Sequence, residues 1–153
     1  MSEQRNARLL GSLRWWHPDR PVASAQEWLL KNSQEAGRIR PNQWEALRRM
    51  GENAATPGEY KQAIRVGLSR EIEEGVFEPR WPKALLDALL DEITAVAQPD
   101  AGEVRRELEL QLAKLPAQAQ SLRDQIAVEQ AQAFVDALVT RIQAERALEG
   151  KEP

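Results

Sequence analysis

One short stretch of the chain gathers several of the side chains that could do chemistry. It runs from Arg14 to Arg20, reads RWWHPDR, and contains the only histidine of the sequence, His17. No other side chain here titrates near neutral pH without a large shift, so His17 is the candidate acid or base of any catalytic reaction. Trp and Arg are enriched among the residues that contribute most to protein interfaces. The stretch therefore offers either a catalytic residue or a contact surface.

The local pattern is consistent with packing in the core alone or with a contact surface. Pro18 disfavours helix at His17, which predicts a helix that ends in a turn. Adjacent residues point about 100° apart on a helix, so Trp15 and Trp16 cannot both occupy the centre of one buried stripe. We expect one ring to pack inward and the other to lie near the surface, with packing in the core alone as the alternative. The predicted partner-binding residues are Arg14, Trp15, Trp16 and Arg20.

A second set of candidate residues combines cations with tryptophans. Trp28 and Trp44 stand among basic residues, and arginines beside exposed rings can neutralise phosphates while the rings stack on unpaired bases. The predicted nucleic-acid-binding residues are Arg38, Arg40, Arg48, Arg49, Lys61 and Arg65. No nucleic-acid motif accompanies them. The alternative is that both tryptophans are core residues and the cations form a solvated face.

Charge is distributed unevenly along the sequence. Residues 1–70 contain twelve Lys and Arg against seven Asp and Glu, whereas residues 71–153 contain nine against seventeen, for a net charge of −3. This asymmetry indicates that the halves attract each other or that each faces a different partner. Glu71, Glu73 and Glu74 end a predicted helix, where the dipole opposes them. They predict a solvated acidic face, or else a partner or basic neighbour.

Composition excludes several kinds of chemistry. The absence of cysteine rules out disulfides, cysteine-ligated zinc, iron–sulfur clusters and thiol nucleophiles. One histidine leaves no conventional zinc site, and the Glu-x-x-His pairs of metal-binding bundles are absent. The sequence also lacks a phosphate-binding glycine loop, a nucleophile elbow and a dinucleotide fingerprint. We therefore expect a non-enzymatic protein without cofactor or metal.

The sequence has no membrane-directed segment that we can identify. No stretch approaches the roughly 18 apolar residues of a membrane span, and residues 1–16 lack a secretory apolar core. We expect a cytoplasmic protein with no membrane contact.

The elements that must position these residues are predicted to be helices. Apolar residues recur at helical spacing, as in the run Tyr60, Ile64, Leu68 and Ile72, and sustained alternation or a hairpin dipeptide is absent. Predicted helix starts are the pairs Ser24/Glu27, Asn42/Glu45, Thr56/Glu59 and Asp100/Glu103, and predicted ends are Gly37, Gly51, Gly75 and Gly150. The fold class is therefore all-α: a bundle of about seven helices without a sheet. We place the helices near 4–16, 25–36, 43–50, 57–74, 82–97, 101–114 and 117–148, the last being the longest.

Two prolines bear on the organisation of the chain. Pro99 disfavours helix at Gln98, so we predict one helical domain, 1–153, with a possible sub-boundary near 98–100. Pro116 leaves open whether the last two helices form an antiparallel pair or one kinked helix.

The function predicted from these patterns is binding and assembly. The leading hypothesis is a helical subunit of a larger complex that docks a protein partner through its basic, Trp-bearing N-terminal part. The alternative is a small subunit of a nucleoprotein complex that contacts an RNA or DNA backbone through Arg and Lys.

Overall fold

The computed structural model describes residues 20–98 and 103–149. The first part contains the helices α1 (Arg20–Lys31), α2 (Ser33–Ala36), α3 (Pro41–Met50) and α4 (Pro57–Gly67), the strands β1 (Ser69–Glu73) and β2 (Val76–Pro79), and the helix α5 (Lys83–Ala97). The second part contains α6 (Glu103–Ala113) and α7 (Ala119–Glu149). The described residues thus form seven helices and one small hairpin, and the predicted all-α class is confirmed.

The long helix α7 organises the bundle, and the last helix is the longest, as predicted. It has 31 residues, about 46 Å at the usual rise, and it packs against α1, α3, α4 and α5. Ala131, Phe134, Leu138 and Ile142 recur at helical spacing and are buried in the main core. One face of α7 therefore serves several helices at once.

Three tryptophans lie together in this core. Trp28 of α1, Trp44 of α3 and Trp81, just before α5, are all buried. The rings of Trp28 and Trp44 meet edge to face with centroids 6.4 Å apart, and those of Trp44 and Trp81 are tilted at 4.7 Å. Aromatic pairs at these separations are favourable beyond the area they bury. Because Trp28 and Trp44 are core residues, their rings are not available to stack on bases.

The predicted start of α4 is confirmed in detail. The Thr56 hydroxyl oxygen accepts a hydrogen bond from the Glu59 backbone N–H at 3.1 Å. Pro57 occupies the first turn, where its missing N–H would have had no partner in the helix. The helix therefore begins where its first amides are best satisfied.

Two other predicted starts are wrong. Ser24 lies inside α1, which already includes Arg20, because Pro21 is tolerated in the first turn of a helix instead of delaying it. The helix predicted from Asn42 begins at Pro41, and Arg40 at its N-cap makes no side-chain capping bond. In both cases a proline that reads as a break belongs to the first turn.

The largest departure from prediction lies between residues 68 and 79. The helix predicted over 57–74 ends at Gly67, and an antiparallel hairpin follows where no sheet was expected. Its register pairs Ser69 with Pro79, Arg70 with Glu78 and Glu71 with Phe77, and then shifts to pair Glu73 with Val76. Gly75 turns the chain with a left-handed φ of 79°, which residues with a Cβ rarely adopt. Leu68 is buried and Ile72 exposed, so the four-residue apolar repeat ends with the helix.

Two other glycines that were predicted to end helices do so without the left-handed conformation that the prediction assumed. Gly37 and Gly51 do follow helices, but their φ values of −65° and −100° are not left-handed. Arg146 of α7 instead donates to the carbonyl groups of Ala36, Gly37 and Ile39, at the end of α2. A cation from another helix thus adds a donor at this helix end, where the Ala36 carbonyl also accepts from the Ile39 N–H.

The helices α6 and α7 form an antiparallel pair, which resolves the alternative that Pro116 left open. Leu112 and Leu122 bury each other in a small second cluster, and Arg123 lies 2.7 Å from Glu109. The predicted cap Asp100 and the predicted stop Gly150 lie outside the described residues. No helix in the described ranges is both long and apolar enough to cross a membrane.

Candidate interaction surfaces

Only Arg20 of the predicted partner-binding residues lies in the described part of the chain. Its guanidinium donates hydrogen bonds to the carbonyl oxygens of Ala95 at 2.8 Å and Gln98 at 2.6 Å. These carbonyls end α5, where the helix dipole favours a cation. Arg20 therefore fastens the start of α1 to the end of α5. Arg14, Trp15, Trp16, His17 and the predicted helix 4–16 lie outside the described residues.

Arg48, one of the predicted nucleic-acid-binding residues, is engaged within the fold. It lies 3.7 Å from both Glu45 and Asp136, and it donates a hydrogen bond to the Thr140 hydroxyl at 3.0 Å. Two carboxylates thus compensate its charge. This arrangement fixes α3 on α7 and leaves less of the charge of Arg48 for a phosphate.

A polar network beside Arg48 holds three helices in place. Tyr60 of α4 donates its hydroxyl hydrogen to Gln132 of α7 at 3.0 Å. The Gln132 amide in turn donates to the Arg48 carbonyl at 3.0 Å and to Asp136 at 2.9 Å. Burial, and to a smaller extent the nearby charge of Asp136, raises the pKa of Tyr60 well above its usual value. The network therefore sets the position of α3 and α4, which carry most of the predicted cationic residues.

Within the part of the chain that the structure describes, no carboxylate pairs with the remaining predicted cations. Lys61 and Arg65 donate to the neutral oxygens of Thr94 and Gln62, both at 3.0 Å. The other three are exposed and make no ion pair with any residue that the structure describes. They are Arg38, Arg40 and Arg49, which we call the exposed arginines. The structure thus divides the predicted set between α3–α7 packing, local contacts on α4, and these exposed arginines.

Arg40 occupies a position that α3 does not favour. N-cap residues usually accept a hydrogen bond from the first amides, and the positive end of the helix dipole opposes a cation there. Arg40 supplies no such cap. Arg49, in the last turn of the same helix, lies where the dipole favours it. Arg40 therefore adds no capping bond to α3.

The hairpin is an exposed surface that the sequence analysis missed. Ile72 and Val76 are 55% and 51% exposed, although both are β-branched apolar residues. Ile72 stands at the register shift between the strands, and Val76 opens β2. At the other end, Arg70 and Glu78 face each other as an ion pair of 2.7 Å. The apolar side chains are thus gathered near the turn.

Two carboxylates flank these apolar residues. Glu73 and Glu74 are exposed beside the turn and make no ion pair with a described residue. We call Ile72, Glu73, Glu74 and Val76 together the hairpin tip. The predicted acidic run is therefore real, but it lies on a β-hairpin and not at a helix end. Helix-dipole repulsion, which we expected there, does not arise.

A further exposed region lies between α1, α2 and the end of α7. A cleft of about 260 Å³ is lined in part by Leu29, Leu30 and Ile142, and Leu30 is 80% exposed. On its rim Arg141 and Glu145 form an ion pair of 3.5 Å. Arg146, which donates to carbonyl groups at the end of α2, also lines the cleft.

The described surface shows no arrangement typical of a metal centre. Within the two described ranges, no group of three or more His, Asp or Glu side chains is placed to hold an ion. No protein-family model matches the chain, and no match was found among the curated proteins or the solved structures.

Proposed function

We propose that the protein is a non-enzymatic assembly subunit that docks a protein partner through its hairpin tip. The observation that carries the proposal is the exposure of Ile72 and Val76 on a hairpin that packs against α4. Covering apolar surface gains about 25 cal/mol per Å². Because both side chains lie beside the same turn, one partner surface can cover them together. Docking through Arg14, Trp15 and Trp16 stays a prediction.

The form of the hairpin favours contact through side chains over strand addition. The register shift at Ile72 distorts β1, and Pro79 at the end of β2 lacks an N–H donor. Bulges and prolines are features with which proteins protect sheet edges from pairing. The partner is therefore expected to present an apolar spot beside Lys or Arg side chains, which complement Glu73 and Glu74.

Site-specific photocrosslinking tests this proposal. A photoreactive amino acid in place of Ile72 should give a discrete adduct in the cells that make the protein. The same amino acid in place of Leu30, which is also exposed, is the matched control and should not give that adduct. Val76→Asp should weaken the adduct because it removes half of the apolar contact. No discrete adduct at position 72, or the same adducts at both positions, would refute the proposal.

Nucleic-acid binding is the second candidate function, favoured by the exposed arginines Arg38, Arg40 and Arg49. Binding to a labelled single-stranded oligonucleotide should then fall steeply with salt. It should be lost on Arg40→Glu/Arg49→Glu, which leaves the engaged Arg48 intact. Absence of binding at low salt would exclude this candidate.

A further inference from the structure

We propose that the cleft between α1, α2 and the end of α7 binds a small aliphatic carboxylate, that is, an apolar chain that ends in one negatively charged group. The cleft shares no residue with the hairpin tip, so this binding site is independent of docking at the tip. The size of the cleft, its apolar lining and its charges each support a ligand of this kind.

The volume of the cleft limits the size of an occupant. It is about 260 Å³, which is below the roughly 300–1,000 Å³ of pockets that hold drug-sized ligands. A water molecule takes up about 30 Å³ in the liquid, so the cleft offers the room of about nine waters. The occupant therefore has on the order of ten non-hydrogen atoms, which is the size of octanoate.

The apolar part of the lining is aliphatic. Leu29, Ala36 and Ile142 belong to the main core and line the cleft from below, whereas Leu30 lines it with a side chain that is 80% exposed. Removing apolar surface from water is favourable in proportion to the area removed. An aliphatic chain in the cleft would cover part of Leu30, which the fold itself leaves in water.

The charges on the lining match one negative charge. They belong to Arg141, Glu145 and Arg146, two cations and one anion, for a net charge of +1. Arg141 and Glu145 are about half exposed and 3.5 Å apart, and a cation that precedes its anion by four residues is the weaker order on a helix. A ligand carboxylate can therefore replace Glu145 beside Arg141. The Ser33 hydroxyl, which also lines the cleft, is a neutral donor for the same group.

Arg146 makes the cleft a preformed site. Its hydrogen bonds to the carbonyl groups of Ala36, Gly37 and Ile39 hold the end of α2 against α7. Among the described residues these bonds all leave from one nitrogen, Nη2, so a ligand can still accept from the hydrogens on Nε and Nη1. Because the walls are already held in place, binding loses little free energy to their ordering.

Titration with sodium octanoate, followed by NMR spectra of the backbone amides, tests the proposal on the full chain. The ligand should shift the amide signals of Ser33 and Gly37 in a saturable way. Because each buried CH₂ group contributes to binding, the Kd should fall about fourfold for each carbon added from butanoate to octanoate. Octanol has a similar chain without the charge, and it should bind about tenfold more weakly or worse.

Substitutions on the rim separate the apolar and the charged contributions. Leu30→Asp should abolish binding, whereas its matched control Val22→Asp, at another exposed apolar residue of α1, should not. Arg141→Gln should weaken binding, whereas Arg49→Gln on α3 should leave it unchanged. Glu145→Gln should tighten binding because it removes the competing carboxylate, and a misfolded variant would not show that gain.

Three results would overturn the proposal: no saturable shift of the cleft amides, equal binding of octanol and octanoate, or equal loss of binding in Leu30→Asp and Val22→Asp. Circular dichroism of each variant shows whether it is folded. Photocrosslinking at position 72 needs no octanoate, so failure of docking at the hairpin tip and failure of carboxylate binding are observed separately.

Discussion

Gly51 is the position at which one added methyl group should disturb the bundle most. It follows α3, is buried, and has a φ of −100° that any residue can adopt. A Cβ there would lie far inside contact distance of the Tyr60 ring atoms Cδ2 and Cε2, and 2.8 Å from Cζ. Gly51→Ala therefore tests close packing and not backbone conformation.

The expected loss of stability follows from what holds the ring. Tyr60 is fully buried, and its hydroxyl is bound to Gln132 at 3.0 Å, so the ring cannot move without losing that bond. Overpacking of a core costs about 1–3 kcal/mol. A lost hydrogen bond costs about 1 kcal/mol more. We expect Gly51→Ala to lower the free energy of unfolding by about 2–4 kcal/mol.

Urea denaturation followed by far-UV circular dichroism measures this loss, and two other glycines provide controls. A Cβ at Gly58 would meet only the Thr56 hydroxyl at 3.8 Å, so Gly58→Ala should stabilise α4 by about 0.4–1 kcal/mol. A Cβ at Gly67 would lie 2.7 Å from the Met50 sulfur, a side chain that can move, so a smaller loss is expected. Tyr60→Leu should recover part of the Gly51→Ala loss, because the two changes share one contact. A stable Gly51→Ala protein would refute the packing described around Tyr60.

Three further predictions concern single contacts. Because the pKa of Tyr60 is raised in the folded state, the unfolded chain ionises first, and the free energy of unfolding should fall as pH rises above about 10. Tyr60→Phe should remove that fall, and denaturation at several pH values compares the two proteins. Arg146→Ala should cost about 1–3 kcal/mol because the segment after α2 loses its hydrogen bonds to α7. Exchange of the Ile39 amide hydrogen, which is bonded to the Ala36 carbonyl in the same segment, should then become faster, and unchanged exchange would contradict this contact. Thr56→Ala should cost about 1 kcal/mol in thermal unfolding, and Thr56→Asp should retain most of the cap, so equal losses would refute it.

The sequence predicted the fold correctly where a signal depends only on residues within one turn of a helix. Thr56, Pro57 and Glu59 mark the start of α4 because the capping bond and the proline act on neighbouring residues. The hairpin was not predicted because the four-residue apolar repeat from Tyr60 to Ile72 continues past the end of the helix. The signal that could have found it is the run of strand formers around Gly75, which includes Ile72 and Val76.

The candidate surfaces were less accessible to sequence reasoning than the helices. The roles of Arg48 and Arg49 differ because Asp136, distant in the sequence, lies beside the first and not the second. Adjacent arginines look alike until the long helix α7 is placed against α3. Only tertiary packing therefore separates a cation that pairs with another helix from one that makes no such pair.

The three buried tryptophans give the bundle an optical signature. Their indole N–H groups have no hydrogen-bond acceptor within the described residues, so their surroundings are apolar enough to shift fluorescence emission toward the blue. Rings as close as Trp44 and Trp81 couple their transitions, which produces a dichroic band that neither ring has alone. Because Trp44 and Trp81 come from separate segments, this band exists only while both segments are assembled. The assembly of the core can thus be followed by light, without any added label.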